Sequence, residues 1–539
     1  MTSAAGNVQG MRCPRTLFAS CLVIFSALAP ATDKPAFGNV EAITGNRLLA
    51  HLQLIASDEL EGRDTPSRGL NTAAKYIAAQ LMLWGVKPAG DEGSYFQKMA
   101  LRKPAVNVAA TTANVGGTEF KYGDQFYAQA QNPGSAEGEV VYVGSGYQKP
   151  GDANDPYSKV DVKGKILLAV QGRPEGVTFR DVRSGRVLSP QAAALKLGAR
   201  GVILITDDLP SWDDMVKNSI EGGSVRPGSS DRPPTSPTII VKPDALEALL
   251  QGSPLTLDSL MKRIADKKLG DPVVILGKTA KFAVAADENT VYTQNVVAIV
   301  EGSDPKLKEE YVAVGAHYDH LGMKRSGPGD LIYNGADDDG SGTVSILEIA
   351  HAFADGPRPK RSILFVWHCG EEKGLWGSEY FTSHPTVPLA NVVAQLNIDM
   401  IGRSKPAGDT KAENKVLTGP TAIYLVGTTR MSSELGADAK AVNSKLYNLT
   451  YDFTYDDMNN PERIFFRSDH YNYALHGIPI LFWFDGVHED YHQVGDEVQK
   501  IDFNKMEKVA RTVYATAWEV ANRKTRPKVD MPLPASPGR

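Results

Sequence analysis

The chain has 539 residues, too many for one ordinary core, so two or more domains are expected. Hydrophobic residues make up 42% and charged residues 22%, the balance of a globular protein, and a formal net charge of -5 excludes the basic face of a nucleic-acid binder. Of the three cysteines, Cys13 and Cys21 lie in a leader-like segment and Cys369 stands alone, so internal disulfides are not expected and stability falls chiefly to core packing.

Arg12 and Arg15 precede an apolar run over 17–29, and small residues follow at Ala29-Pro30-Ala31. This is the layout of a secretory signal peptide over 1–31, with an apolar run too short to span a bilayer. Met11-Arg12 opens the same pattern and is an alternative start. The segment predicts an exported protein, periplasmic or extracellular; an uncleaved anchor is the plain alternative. A lipoprotein attached at Cys21 fits poorly, because the residues after it stay apolar. No later segment is long and apolar enough to span a membrane, and oligomeric state is not legible.

From 40 to about 130 the chain opens on a helical pattern, with Leu48, Leu49, Leu52 and Ile55 on one face and Ala73, Ile77, Leu81 and Leu83 on another. A polar loop, Ser57-Asp58-Glu59-Leu60-Glu61-Gly62-Arg63, lies between them. Over 131–277 the texture changes to short buried strands at 140–143, 165–170, 202–206 and 238–241, a helix at 191–197, and loops rich in Gly, Pro, Ser and Asp. This predicts an inserted β-rich module. Over 286–525 strands at 296–300, 311–316, 363–368, 393–398, 423–426 and 478–484 alternate with helices at 343–353, 377–383, 432–443, 470–476 and 504–521. That alternation predicts an α/β fold: a mixed, mostly parallel central sheet with helices on both faces. In such sheets ligands bind beyond the carboxyl ends of the strands. The proline-containing end, 526–539, reads as a loose tail.

Ligand-type residues gather at those strand ends. One strand runs into His317-Tyr318-Asp319-His320. Asn334-Gly335-Ala336-Asp337-Asp338-Asp339-Gly340-Ser341-Gly342 opens the helix at 343. Other strands end in Cys369-Gly370-Glu371-Glu372, in Asp399, and before Tyr491-His492. Taken singly, each has a bland explanation. A lone His is usually a surface or core residue, an Asp run before a helix is an N-cap, and a Glu pair after a strand is a solvated turn. Together they are harder to dismiss, since several strand ends of one α/β domain each deliver an imidazole or a carboxylate. Two imidazoles and three carboxylates suit zinc, and a shared carboxylate can hold two ions. A further carboxylate must stay free as a base, and adjacent glutamates can divide those roles. Gly340-Ser341-Gly342 is too short for a serine nucleophile elbow.

With these motifs in place the sequence resembles the M28 family of metallopeptidases, which includes bacterial aminopeptidases with two zinc ions. The resemblance is carried by Leu54-Ile55-Ala56-Ser57-Asp58-Glu59-Leu60-Glu61-Gly62-Arg63, Gly315-Ala316-His317-Tyr318-Asp319-His320, the Asp337-Asp338-Asp339 loop, Gly370-Glu371-Glu372-Lys373-Gly374, Asn397-Ile398-Asp399-Met400 and Tyr491-His492. The insert resembles a protease-associated (PA) domain through Val162-Lys163-Gly164-Lys165-Ile166 and Gly198-Ala199-Arg200-Gly201-Val202-Ile203. The departures, Gln493-Val494-Gly495 after the final His and Cys369 before Gly370, remove no ligand.

The resemblance implies a zinc-peptidase fold and two Zn2+ per chain. Asp338 would bridge both ions, His317 and Asp399 would complete one, and Glu372 and His492 the other. Glu371 would be the general base for a bridging water, Tyr491 a donor to the oxyanion, Asp319 a carboxylate orienting His317, and Asp337 and Asp339 shaping or capping groups. Arg467-Ser468-Asp469-His470 resembles a substrate-side motif without fixed roles. The implied activity is hydrolysis of peptides, most readily as an aminopeptidase, with a carboxypeptidase or dipeptidase of the same family as the alternative. A non-catalytic receptor-like protein would be expected to have lost ligands that are all present here.

Overall fold

Two β-sheets carry the fold in the computed structural model, which describes residues 37–539 apart from 153–154, 179–180, 183–184, 224, 229–234, 325, 532 and 534–539. The leader read at 1–31, with Cys13 and Cys21, lies outside the described residues. The larger sheet runs in the order Thr450–Asp452, Ala422–Val426, Ile480–Phe484, Val392–Ile398, Tyr311–His317, Ser362–His368, Ala286–Val300, Phe96–Val106 and Arg226–Pro227. Its centre, from Ile480–Phe484 to Ser362–His368, is parallel. On the flanks, Ala286–Val300, Phe96–Val106 and Ala422–Val426 join antiparallel. The sheet is therefore mixed with a parallel centre, where a mostly parallel one was expected. For Phe96–Val106 beside Ala286–Val300 the reason lies in the excursion to the second sheet: a chain that leaves along one strand and returns beside it lays the two strands antiparallel.

Alternation along the central strands feeds two cores. Val312, Val314, Ala316, Ile363, Phe365 and Trp367 pack on one face with the helices Gly45–Ile55, Arg68–Leu83, Gly342–Asp355, Ser433–Leu446 and Phe503–Asn522. Ala313, Leu364 and Val366 pack on the other with Trp376–Ser383 and His470–Leu475. Cover on both faces explains why these strands read as unbroken apolar runs. Leu48, Leu52 and Ile55 are buried as their spacing suggests, but Leu83 is 76% exposed. It lies two residues past buried Leu81, roughly 200° round the helix.

The second sheet, in the order Thr118–Phe120, Thr112–Val115, Val273–Val284, Gly134–Tyr142, Ile166–Val170, Gly201–Ile205, Thr238–Val241 and Phe126–Ala128, reaches beyond 131–277 at both ends. At one edge Thr118–Phe120 and Thr112–Val115 carry Thr, Asn and Glu, so apolar runs do not mark them, and at the other Phe126–Ala128 is a buried apolar strand of only three residues. A two-stranded stem joins it to the larger sheet, Phe96–Val106 against Ala286–Val300, and the helix Trp212–Glu221 packs back onto that stem. The tail read as loose from 526 is fastened in its described part. Arg526 reaches Glu310 and the Ala390 carbonyl, Asp530 accepts from the Ser433 N–H, and Met531 pairs with Met431. Among the described residues no helix is long and apolar enough to cross a membrane.

The helix Gly342–Asp355 carries the acidic loop and is anchored by buried Glu348, which accepts from Arg47 Nε at 2.5 Å and Nη2 at 3.1 Å and pairs with His51 Nε2 at 2.8 Å. Both partners sit on Gly45–Ile55, so one carboxylate fastens two helices. Glu348→Ala leaves a half-buried guanidinium and a buried imidazole without their acceptor and should cost about 2–3 kcal/mol. Urea unfolding measures this, and a loss below about 0.5 kcal/mol would contradict the clamp.

Candidate metal centre

The strand order reverses at Tyr311–His317. The chain passes next to Ser362–His368 on one side and then to Val392–Ile398 on the other, which opens a crevice at the carboxyl ends of the parallel strands. Into it His317, the Glu371-Glu372 turn and Asp399 are delivered by three adjacent strands. The loop Ala336–Ser341 supplies Asp338 after Gly335, whose φ of 55° suits glycine.

Asp338 divides its oxygens. Oδ1 lies 3.3 Å from His317 Nε2, which is itself 3.6 Å from Asp399 Oδ1. Oδ2 lies 3.1 Å from His492 Nε2, which is 3.0 Å from Glu372 Oε2. Glu371 Oε2 stands 3.9 Å from His317 Nε2 without joining either group closely. The structure thus brings all of His317, Asp338, Glu371, Glu372, Asp399 and His492 together. Asp338 Oδ2 and His317 Nε2 are buried and have no hydrogen-bond partner among the described residues. Close, buried carboxylates and unmatched imidazole nitrogens fit a divalent cation of the zinc type.

Electrostatics agree. Burial, reinforced by Glu372 and Asp399, pushes the Glu371 carboxyl well above the usual carboxylate range. Burial opposes charge on His492, yet its bonds to Asp338 and Glu372 carry its pKa up to about 10. The imidazoles are drawn toward protonation because the cluster holds more negative charge than it can satisfy.

Asp337 and Asp339 shape the loop, as expected. Asp339 Oδ1 accepts from the N–H groups of Gly342 at 2.9 Å and Met400 at 3.1 Å, and Asp337 Oδ1 accepts from Gly402 N–H at 2.7 Å. Asp319 departs from expectation. Its backbone carbonyl is 3.1 Å from His317 Nδ1, whereas its carboxylate is 3.8 Å away and accepts instead from the Glu371 N–H at 3.1 Å. A carbonyl therefore orients the imidazole, and the carboxylate fixes the turn that carries the glutamates.

Tyr491 stacks on His492 with ring centroids 3.9 Å apart, and Arg467 Nη2 donates to its hydroxyl at 3.2 Å. Both line a pocket that opens onto Asp338, Glu371 and Asp399 and is walled by Met400, Ile464, Phe482, Phe484 and Val487.

Three contributors were given no role by the sequence, although Arg63 and His320 each end one of the resembling motifs. Arg63 is fully buried and donates to the carbonyls of Tyr318 at 2.9 Å, Asn334 at 2.7 Å and Gly335 at 2.9 Å, holding two site loops together. Asp496 accepts from the N–H groups of Asp337 and Asp338, each at 3.0 Å, and so sets the bridging loop. His320 Nδ1 lies 2.8 Å from Glu372 Oε1. Only the His-x-x-His spacing of 317 and 320 hinted at the last.

Residues 295–517 match the sequence profile of Peptidase family M28. A "Probable zinc metalloprotease" from Pyrenophora tritici-repentis is 28% identical over 298 residues, 50% of this chain and 67% of that protein. A "Probable leucine aminopeptidase" from Trichophyton verrucosum is 30% identical over 236 residues, 42% of this chain and 57% of that protein. Among solved structures, BSAP, a zinc aminopeptidase from Bacillus subtilis, aligns with a TM-score of 0.50 at 18% identity over 90% of this chain and 97% of its own. That last likeness is one of fold.

Asp496→Ala removes the acceptor that fixes the Asp337-Asp338 backbone. Zinc affinity, titrated against a chelating dye, should fall about 10- to 100-fold with the fold retained; unchanged affinity would contradict this role.

Proposed function

We propose that the chain is an exported, zinc-dependent metallopeptidase that removes apolar residues from peptide N-termini. The observation that carries this is Asp338, with one oxygen facing His317 and the other facing His492, in a pocket that sets apolar side chains opposite the carboxylates. His317, Asp338 and Asp399 would hold one zinc ion, and Asp338, Glu372 and His492 a second. When bound, zinc supplies Lewis acidity, lowering the pKa of water and polarising the scissile carbonyl.

The chain's own groups do the rest. Glu371 lines the pocket with a side chain 12% exposed, next to both proposed ligand sets yet outside them. Its carboxylate takes a proton from the attacking water as the C–O bond forms, then passes it to the leaving amine as the C–N bond breaks. The Tyr491 hydroxyl, held by Arg467, donates to the developing oxyanion. Met400, Ile464, Phe482, Phe484 and Val487 receive the side chain of the terminal residue, and the surplus of carboxylates receives its free ammonium. The second sheet, raised on its stem, is read as the PA domain and as a partial cover that restricts entry to short or unfolded peptides. The leader-like segment supports export. Arg467 on the pocket wall favours one alternative, a carboxypeptidase whose substrate carboxylate pairs with the guanidinium.

Two measurements test the proposal. Glu371→Gln should keep its zinc and lose about 10²- to 10⁴-fold in kcat; equal kcat would remove Glu371 as the base. On a panel of aminoacyl p-nitroanilides, Leu and Phe should exceed Asp and Lys by about tenfold or more in kcat/KM, with N-acetylated controls inert. Cleavage of blocked and free substrates at similar rates would remove the aminopeptidase assignment.

A further inference from the structure

His320 stands beside the proposed ligands with a ring that is 0% exposed. Its backbone is pinned, since its N–H donates to the Arg63 carbonyl at 3.2 Å. Nδ1 lies 2.8 Å from Glu372 Oε1 and 3.8 Å from Asp338 Oδ2, while Nε2 is buried without a hydrogen-bond partner among the described residues. His492 takes the opposite oxygen of the same carboxylate, Oε2, at 3.0 Å, and the two rings meet edge to face at 5.8 Å. Glu372 is thus gripped between two imidazoles, one buried and one whose side chain is 34% exposed. Around His317 and Asp399 the corresponding place is filled by Glu371, a carboxylate, and no second imidazole stands there among the described residues.

We propose that His320 is a positioning residue for the second metal position. By donating from Nδ1 to Glu372 Oε1 it fixes that carboxylate with Oε2 toward His492, and it makes the Asp338–Glu372–His492 position the more tightly held of the two. The inference rests on the two-metal assignment above. The chemistry requires the Nδ1–H tautomer, because a carboxylate oxygen accepts and does not donate. A rigid outer partner of this kind fixes a ligand's orientation before the cation arrives, and removing one typically weakens metal binding about 10- to 100-fold. Glu372 has particular need of it. The residue sits on an irregular turn after a strand end, next to a second glutamate assigned the opposite task of staying unligated. The buried ring holds the two apart in role.

The test is a zinc titration of wild type, His320→Ala and His320→Asn against a chelating dye, with bound zinc counted at each step. Wild type should take up two ions. The alanine variant should bind one ion as wild type does and the other about 10- to 100-fold more weakly. Asparagine places an amide N–H where Nδ1 donated, so that variant should stay close to wild type in both steps and give the wild-type visible spectrum when loaded with cobalt. Loss of both ions together in the alanine variant would overturn the inference. So would equal weakening in both variants with an altered cobalt spectrum, which would make His320 a ligand. A wild type that binds two ions beside an unaffected alanine variant refutes only the inference, whereas a wild type that binds none refutes the metallopeptidase assignment and the inference with it.

Discussion

Burying carboxylates at one end of a sheet is the constraint around which the molecule is arranged. Asp319, Asp337, Asp338, Asp339 and Asp496 are all nearly or fully inaccessible, and Asp399 and Glu372 lie beside them. Each desolvated charge costs several kcal/mol unless something answers it. Most are answered locally: Asp339 by two backbone N–H groups, Asp337 by one with His488 nearby, Asp319 by the Glu371 N–H, and Asp496 by the very loop it supports. Arg63 contributes a buried positive charge while spending its hydrogen bonds on carbonyls. Asp338 and Glu372 are left with imidazoles alone, and Asp399 with the His317 imidazole and a hydrogen bond from Ser468. That remainder is what the proposed pair of cations would answer.

The sheet makes this arrangement affordable. Its parallel centre is packed on both faces, so the strand ends are held by two cores and by the helix that Glu348 fastens. Side chains mounted on such strands hold their positions to a fraction of an ångström, which chemistry at a metal pair demands. The long antiparallel stem joins the second sheet to the flank of the same platform, outside the parallel strands that carry the ligands.

Much of this was legible in the sequence, for physical reasons. Apolar runs mark doubly covered strands, and the polar residues that end them are conspicuous, which is why His317, Glu371, Glu372 and Asp399 could be singled out. The acidic loop offered three aspartates and the final strand led to Tyr491-His492, and the choice of Asp338 and His492 as ligands was implied by the resemblance to the M28 family. What stayed hidden depends on partners distant in the chain. Arg63 serves carbonyls on loops more than 250 residues away, and Asp496 serves N–H groups about 160 residues earlier. Asp496 leaves no local pattern, and Arg63 closes a resembling motif that does not show what it holds. The exchange of duties within Asp319, carbonyl to the imidazole and carboxylate to the turn, is a matter of backbone geometry. The pocket wall was hidden for the opposite reason, since Ile464, Phe482 and Phe484 look in sequence like any core residues. The antiparallel stem was missed because Thr112–Val115 and Thr118–Phe120 break the apolar pattern, which concealed how far the excursion extends.

Zinc-edge anomalous diffraction from crystals of the purified protein tests the central claim most directly. The account predicts two peaks about 3.5–4 Å apart, one against His317 and Asp399, the other against Glu372 and His492, with Asp338 touching both. A lone peak, or ions bound elsewhere while these side chains pair only with one another, would contradict it.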